Sequence, residues 1–354
     1  MADHVFILGA GASAEVGGPL MKGFLDAADD LVRQGRLTDV KPQITSILEL
    51  WGELQATYAK VNMDLFNIES MFGLLEMGRV IGMLGGHDKE AVSRYRQALV
   101  TLIVRTLEER IKIPVQHRKA GVFPQFAEFV SLLRELKSCA VITFNYDMAL
   151  DYALHQSGIP VDYGLAASQA GRFKLLKLHG SMNWARTADG SEVVPYELSV
   201  YLQDYHWDIW DDEEKHVLLA ISQHLGTLGK HLAGKTIDSL PVIVPPTWSK
   251  TEYNSILAPV WVNAVRELRD ARHIYVSGYS LPDSDSFFPY LLALGMFSPA
   301  MVRRFWVFDV DDTGQIEQRY RRLLGSSVAG GFKYVRTHFS DMAGHIRPLL
   351  QAGS

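Results

Sequence analysis

One cysteine, Cys139, stands in 354 residues. A lone thiol excludes an internal disulfide and a thiolate-only zinc cluster. Its neighbours Ala140, Val141 and Ile142 mark it as a small buried apolar residue rather than a reactive thiol. Long hydrophobic runs are missing as well. No apolar stretch approaches the roughly 20 residues that span a bilayer, so no membrane partner is expected. The run Val5–Leu8 is too short for a signal core and ends in glycines. A cytoplasmic location is the default expectation. Positive charge is not in excess: 35 Lys and Arg face 40 Asp and Glu, a formal net charge of −5. Such a chain is not steered as a whole toward nucleic acid or anionic lipid, and no direct nucleic-acid binding is expected. The basic string QRYRR, Gln318–Arg322, reads as a solvated helix face.

What is present is ordinary globular material, 47 % hydrophobic and 21 % charged. The length suits two modest domains or one with large insertions. Short β-rich apolar runs recur between helical stretches: Val5–Leu8, Ala140–Phe144, Leu175–Leu178, Val242–Val244, His273–Val276 and Phe305–Phe308. Buried strands alternating with helices predict an α/β fold, a Rossmann-like parallel sheet with helices on both faces. Lys333–Val335 adds an edge strand. Two stretches break this rhythm. From Lys22 to about Arg118 no strand is evident, and "ITSILELWGELQATYAKV" and "IESMFGLLEMGRVIGML" space their apolar residues as amphipathic helices. From Trp184 to about Leu240 the chain is rich in aromatics and acids. The expected organisation is a core of residues 1–21 and 119–354, carrying an insertion at about 184–240, and a helical insertion subdomain at 22–118.

Five motifs carry chemistry. "FILGAGASAEVGGP" (Phe6–Pro19) places Gly9-Ala10-Gly11-Ala12-Ser13-Ala14 directly after a strand, a match to G-x-G-x-x-G/A. Gly9 permits a tight turn, Gly11 lets the backbone approach a pyrophosphate, and Ala14 lets the next helix pack close, its first amides toward the anion. Ser13 offers a hydroxyl. A glycine-rich turn without ligand gives the same string, but the strand before it favours a nucleotide. The acid expected about 20 residues on is ambiguous: Asp26, Asp29 and Asp30 follow no second strand. "VITFNYDMALDYAL" (Val141–Leu154) puts Asn145 where a strand ends and a helix starts near Tyr146. That is a ligand position in open α/β sheets and equally a helix N-cap, with Asp147 on the first turn. "LLKLHGSMNW" (Leu175–Trp184) sets His179 beyond a strand, before Gly180-Ser181. It is placed as an exposed general base or as a structural histidine bonded to a carbonyl. "IYVSGYSLPDSD" (Ile274–Asp285) brings Gly278, Ser280, Asp283 and Asp285 within reach of phosphate or ribose, or forms a β-turn before a capped helix. "RFWVFDVDD" (Arg304–Asp312) ends a strand at Asp309, which can accept from ribose hydroxyls or serve turn chemistry. All five lie at the C-terminal ends of parallel strands, so one nucleotide across that edge could touch them all.

In this order the motifs resemble the sirtuin superfamily. "TFNYD", "KLHGSMNW", "GYSLPDSD" and the helical "NIESMFGLLE" (Asn67–Glu76) are similar to the bacterial sirtuin-like NAD hydrolases of antiphage defence. The resemblance implies NAD as substrate, held through Gly9, Ala10, Gly11 and Ser13. Asn145 then orients the ribose or the attacking water, and His179 is the general base. By the same resemblance Asp147 contacts the nicotinamide carboxamide, and Asp309 the adenosine ribose, with Gly278, Ser280 and Asp283 nearby. The sequence departs from sirtuin deacylases in three places. Where those enzymes place a four-cysteine zinc module, Trp184–Leu240 has no cysteine, so no zinc is expected. Phe144 replaces the glutamine before the motif asparagine, which weakens the case for peptide-acyl chemistry. Gly17–Lys22 lacks the Phe-Arg pair. The implied activity is NAD hydrolysis to nicotinamide and ADP-ribose. A protein deacylase, an ADP-ribosyltransferase and a non-catalytic NAD or ADP-ribose sensor are the alternatives. An NAD hydrolase must be gated, which implies a homo-oligomer or a separate trigger. A HerA-like hexameric ATPase or a short Argonaute fits by analogy. The insertion with Trp207, Trp210, Asp211, Asp212 and Glu213 offers an interface, or a surface subdomain burying its own tryptophans.

Overall fold

A computed structural model describes residues 2–58, 60, 63–116, 119–167, 169–203, 216–228, 231–244, 254–282 and 285–351. Seven strands form one all-parallel sheet. They are β1 (His4–Leu8), β2 (Cys139–Thr143), β3 (Val161–Asp162), β4 (Phe173–Lys177), β9 (His273–Ser277), β10 (Arg304–Asp309) and β11 (Phe332–Arg336). Their spatial order is β11-β10-β9-β1-β2-β4-β3. Four strands between β4 and β9 in the chain make an antiparallel sheet, ordered β6-β5-β8-β7, while His216–Leu218 pairs with the strand Lys112–Gln116. The four are β5 (Gly180–Thr187), β6 (Val193–Pro195), β7 (His231–Leu232) and β8 (Lys235–Ile243).

The parallel sheet forms because its central strands are apolar on both faces. Every residue of β1 and β9 is buried, as a sheet covered by helices on both sides requires. Ile7 sits between Ile142 of β2 and Val276 of β9. Phe6 meets the edge of Phe129 at 5.2 Å. Phe129 belongs to helix α6 (Pro124–Glu135), which opens with proline in its first turn, where the missing amide hydrogen costs nothing. Lys333–Val335 lies within β11, an edge strand as expected, and the two-residue edge β3 has no sequence signal of its own.

Val242–Val244 is a correction. Val242 and Ile243 belong to β8, antiparallel to β5, with Ile243 opposite Gly180. Three apolar residues carry no information about partner or direction. Here the partner follows from β5, which leaves β4 through His179-Gly180 and turns out of the main sheet.

Residues 24–110 supply α2 (Phe24–Arg33), α3 (Lys41–Tyr58), α4 (Ile68–Ile81) and α5 (Lys89–Arg110). They pack on one another around α5. Asn67 and Asp88 cap α4 and α5 by accepting from Glu69 and Ala91 amides at 2.9 and 2.8 Å. Two features here lack a sequence signal: the hairpin Met83–Leu84 with His87–Asp88, and the strand Lys112–Gln116. Asp26, Asp29 and Asp30 lie on α2, with Asp29 paired to Arg33. No described helix is long and apolar enough to cross a membrane. Cys139 is half-buried, and burial pushes its thiol up to about 12, consistent with an inert residue.

At the N-terminal edge of the sheet His4 and His273 face each other, ring centroids 4.7 Å apart. Burial, then the neighbouring His4, push His273 down to about 4. A histidine depressed in the fold binds its proton more readily when unfolded. Its contribution to stability is therefore full above about 6.5 and lost as pH falls toward 4. Thermal unfolding midpoints should drop across that window, and His273→Gln should flatten the drop. An equal pH slope in the variant would overturn the assignment.

Candidate functional site

The loops after β1 and β9 meet where the strand order reverses, the position at which open α/β sheets bind ligands. They meet without a gap. The Gly9 amide donates to Ser277 O at 3.1 Å, Gly11 to Gly278 O at 2.9 Å, and Gly278 to Phe308 O at 3.1 Å. A Cβ on Gly9 would lie 2.5 Å from Gly278 O, and one on Gly11 2.6 Å from Gly278 Cα. Glycine at 9 and 11 is thus explained by loop-on-loop packing, and both amides are engaged within the protein. Ala10 is half-buried at the head of the four-residue helix α1 (Gly11–Ala14).

Ser13 is buried, and its hydroxyl oxygen accepts from Asn145 Nδ2 at 3.2 Å. The same Nδ2 donates to Gly9 O at 2.9 Å. Thr143 fixes the approach, donating its hydroxyl to Leu8 O and accepting the Asn145 amide, both at 3.1 Å. Asn145 is not a helix cap. Helix α7 (Ala149–Gln156) begins later, and Asp147 accepts the Ala149 amide at 2.9 Å. The Asn145–Met148 turn is therefore held by side chains rather than by helical bonds. Burial raises the Asp147 carboxyl, while the Lys177 charge and bonds from Ala149 and Ser13 pull it down. Ser13, Thr143, Asn145, Asp147, Asp151 and Lys177 line one cavity. Lys177 has no place among the residues read from sequence. Its only signal there is a cation inside an apolar strand, in "LLKLHG".

Asp147 also lines a second cavity, together with Glu108, Ile113, Met148 and Met182. Glu108 of α5 accepts the Ser222 amide at 3.0 Å, the Ser222 hydroxyl, and Gln223 Nε2 at 3.1 Å. Burial raises its carboxyl above the usual range. Glu108→Ala leaves these donors unmatched, a loss of about 1–3 kcal/mol. Limited proteolysis should then cut near residues 219–228, and an unchanged digest would contradict this.

His179 is not exposed. Only 3 % of it is accessible, and Phe144 and Tyr146 from the loop after β2 stand against its ring. Phe144 meets it edge-on at 5.0 Å and stacks on Tyr279 at 4.4 Å. Phe288 packs against both aromatic rings. His179 Nε2 lies 4.0 Å from Asp285 Oδ2, which accepts the Tyr279 hydroxyl at 2.6 Å. Asp285, read from sequence as a phosphate or ribose contact, is instead a buried partner of this group. The Asn145 and His179 groups adjoin at the Phe144–Asn145 peptide, and each residue lies two beyond the register pair Thr143 and Lys177. Gly180 has φ +87°, and a Cβ there would fall 2.0 Å from Val242 O. That approach of β8 explains the glycine after the histidine.

Ser280 is exposed, and its carbonyl accepts from Arg319 at 3.0 Å. Tyr320 donates to Tyr279 O at 2.8 Å. The string QRYRR thus anchors this turn from helix α8 (Gln315–Leu323). Leu281 has φ +51°, a conformation an L side chain adopts at a cost. Asp309 is half-buried at the end of β10, accepts the Asp311 amide at 3.1 Å, and is raised by burial. Asp283, Trp207, Trp210, Asp211, Asp212 and Glu213 lie outside the described residues. At the opposite edge, Asp3, His4 and His273 bring three potential ligand atoms within 4.8 Å of one another. Arg272 already donates to Asp3, and Arg304 approaches His273 Nδ1 at 3.3 Å.

No family model and no curated protein matches the sequence. Solved structures do. A Sir2 homologue in complex with NAD is 14 % identical, with 100 % of this chain and 91 % of that one covered and a TM-score of 0.46. A mutant Sir2 homologue with ADP-ribose is 13 % identical, covering 99 % and 94 %, TM-score 0.44. A structure addressing the mechanism and regulation of Sir2 enzymes is 15 % identical, covering 99 % and 93 %, TM-score 0.44.

Proposed function

We propose that this chain binds NAD along the C-terminal edge of its parallel sheet and hydrolyses the nicotinamide–ribose bond, giving nicotinamide and ADP-ribose. One observation carries the reading. Ser13, Asn145 and Asp147 converge from two strand ends, beside a buried histidine that faces a carboxylate. Cleavage of a glycosidic bond develops oxocarbenium character at the anomeric carbon. Carboxylate charge close by stabilises it, and Asp147 supplies that charge. Asn145, fixed by Gly9 and Ser13, orients the ribose or the attacking water. His179 takes the proton, directly or through a ribose hydroxyl, and Asp285 balances the imidazolium. Asp147 meets the carboxamide. Asp309 binds the adenosine ribose, with Gly278, Ser280 and Asp283 near it. No covalent nucleophile is required, and no zinc is assigned a role.

The biological reading is an antiphage effector that depletes NAD when triggered. It works as a homo-oligomer or beside a HerA-like ATPase or short Argonaute. Residues 1–21 and 119–354 form the NAD-binding core, and 22–118 a helical subdomain. The test is nicotinamide release from NAD by the purified protein, alone and with the products of neighbouring genes. Release in either arm is expected. Stoichiometric NAD binding with no release in both arms would replace hydrolysis by sensing. Deacylation of an acyl-peptide matched to NAD consumption would replace it by acyl transfer.

A further inference from the structure

Lys177 ends β4 with a side chain only 1 % exposed. A buried ammonium is costly unless paired, and an apolar residue of similar volume would commonly serve stability as well. Lys177 is paired fully and from two sides. Its Nζ donates to Asp151 Oδ2 at 2.9 Å and to the main-chain oxygen of Asp147 at 2.6 Å. The other Asp151 oxygen accepts the Tyr163 hydroxyl at 2.7 Å. Asn183 Nδ2 in turn donates to that hydroxyl at 3.3 Å and to Tyr196 O at 2.9 Å. The ammonium is therefore braced from α7 and from the small antiparallel sheet. What it grips is the turn that carries Asn145 and Asp147.

A fastening of α7 to β4 would need only the Asp151 contact. The bond to the Asp147 carbonyl and the place of Lys177 in the Ser13–Asn145 cavity go beyond it. Two charged groups act on Asp147, Lys177 from β4 and Asp151 from α7, and Glu108 from α5 lines the second cavity with it. Lys177 is the cation of this set.

We propose that Lys177 is a positioning residue: by holding the Asp147 carbonyl it fixes the Asn145–Met148 turn against Ser13. The kinetic consequence rests on the NAD-cleavage reading, but the positioning itself does not. The test compares wild type, Lys177→Arg, and the double variant Lys177→Met/Asp151→Asn, which removes the ammonium together with its carboxylate partner and keeps an acceptor for Tyr163. Hydrogen–deuterium exchange needs no activity. Protection of amides 145–150 should fall at least about tenfold in the double variant, with β1 and β9 unchanged. Unchanged protection of 145–150 overturns the proposal. Loss across the whole sheet overturns it too, since the pair would then support the fold rather than the turn. Where NAD is cleaved, kcat should fall about tenfold to a hundredfold with KM within about threefold. The acid limb of the pH profile should move to higher pH, because Asp147 loses its cation. Lys177→Arg should restore part of kcat. An unmoved limb with wild-type kcat overturns the proposal. Absence of cleavage by wild type, with the exchange result as expected, overturns the cleavage reading alone.

Discussion

Nicotinamide release should fall by about 10²–10⁴-fold in His179→Ala, the range lost with a positioned general base. The imidazole packs against Phe144, which Tyr279 and Phe288 cover in turn, with Asp285 as its charged neighbour. Water replacing the ring would lack both its basicity and its fixed orientation. Asn145→Ala should cost a similar factor for a different reason. It removes the bonds to Gly9 O and Ser13 and frees the turn that presents Asp147. Each neutral hydrogen bond is worth only about 1 kcal/mol to the fold, so both variants should stay folded and bind NAD within a few-fold of wild type. Turnover retained in both would sink the site assignment. Lost NAD binding in His179→Ala would instead make the histidine a structural residue.

Gly278→Ala should be among the most damaging single methyls in the described chain. Gly278 has φ +62°, and an added Cβ would stand 2.3 Å from the Ala12 amide nitrogen and 2.5 Å from Gly11 C. Neither neighbour is a flexible side-chain end. The left-handed conformation adds about 1–2 kcal/mol for an L residue, and separating the two loops breaks the Gly11–Gly278 hydrogen bond. A loss of several kcal/mol is expected, seen as a large fall in the thermal midpoint. NAD affinity should drop with it, because Gly9 and Ser13 lose their place beside Asn145. The control is Gly344→Ala in helix α9 (Met342–Gln351), where nothing lies within 4 Å of the new Cβ. That change should be neutral or slightly stabilising. Equal midpoints for the two variants would refute the packing argument.

The parallel sheet was legible because a strand buried on both faces writes itself as a short apolar run. Val5–Leu8, His273–Val276 and Phe305–Phe308 all fall within strands of one sheet. Val242–Val244 misled for the same reason, since an apolar run of three has no direction. His179 was legible as a strand-end residue but not as a buried one. The Phe144 ring against it is itself covered by Tyr279 and Phe288, and no local pattern says that these rings meet. Lys177 was passed over because its partners Asp147 and Asp151 lie 26 residues or more away in the chain.

The sequence by itself determined where the motif-bearing strands stop, because punctuation by glycine, serine, asparagine and aspartate acts within a few residues. With parallel strands, that alone puts Gly9, Asn145, His179, Gly278 and Asp309 at one edge. Only the tertiary structure decided which of them touch. Asn145 reaches Ser13 across 132 residues, Gly278 closes on Gly9 and Gly11, and His179 turns toward Asp285 rather than solvent. Strand ends follow from local backbone preference. Contacts follow from which buried polar groups find partners once distant segments pack, and that is a property of the assembled chain.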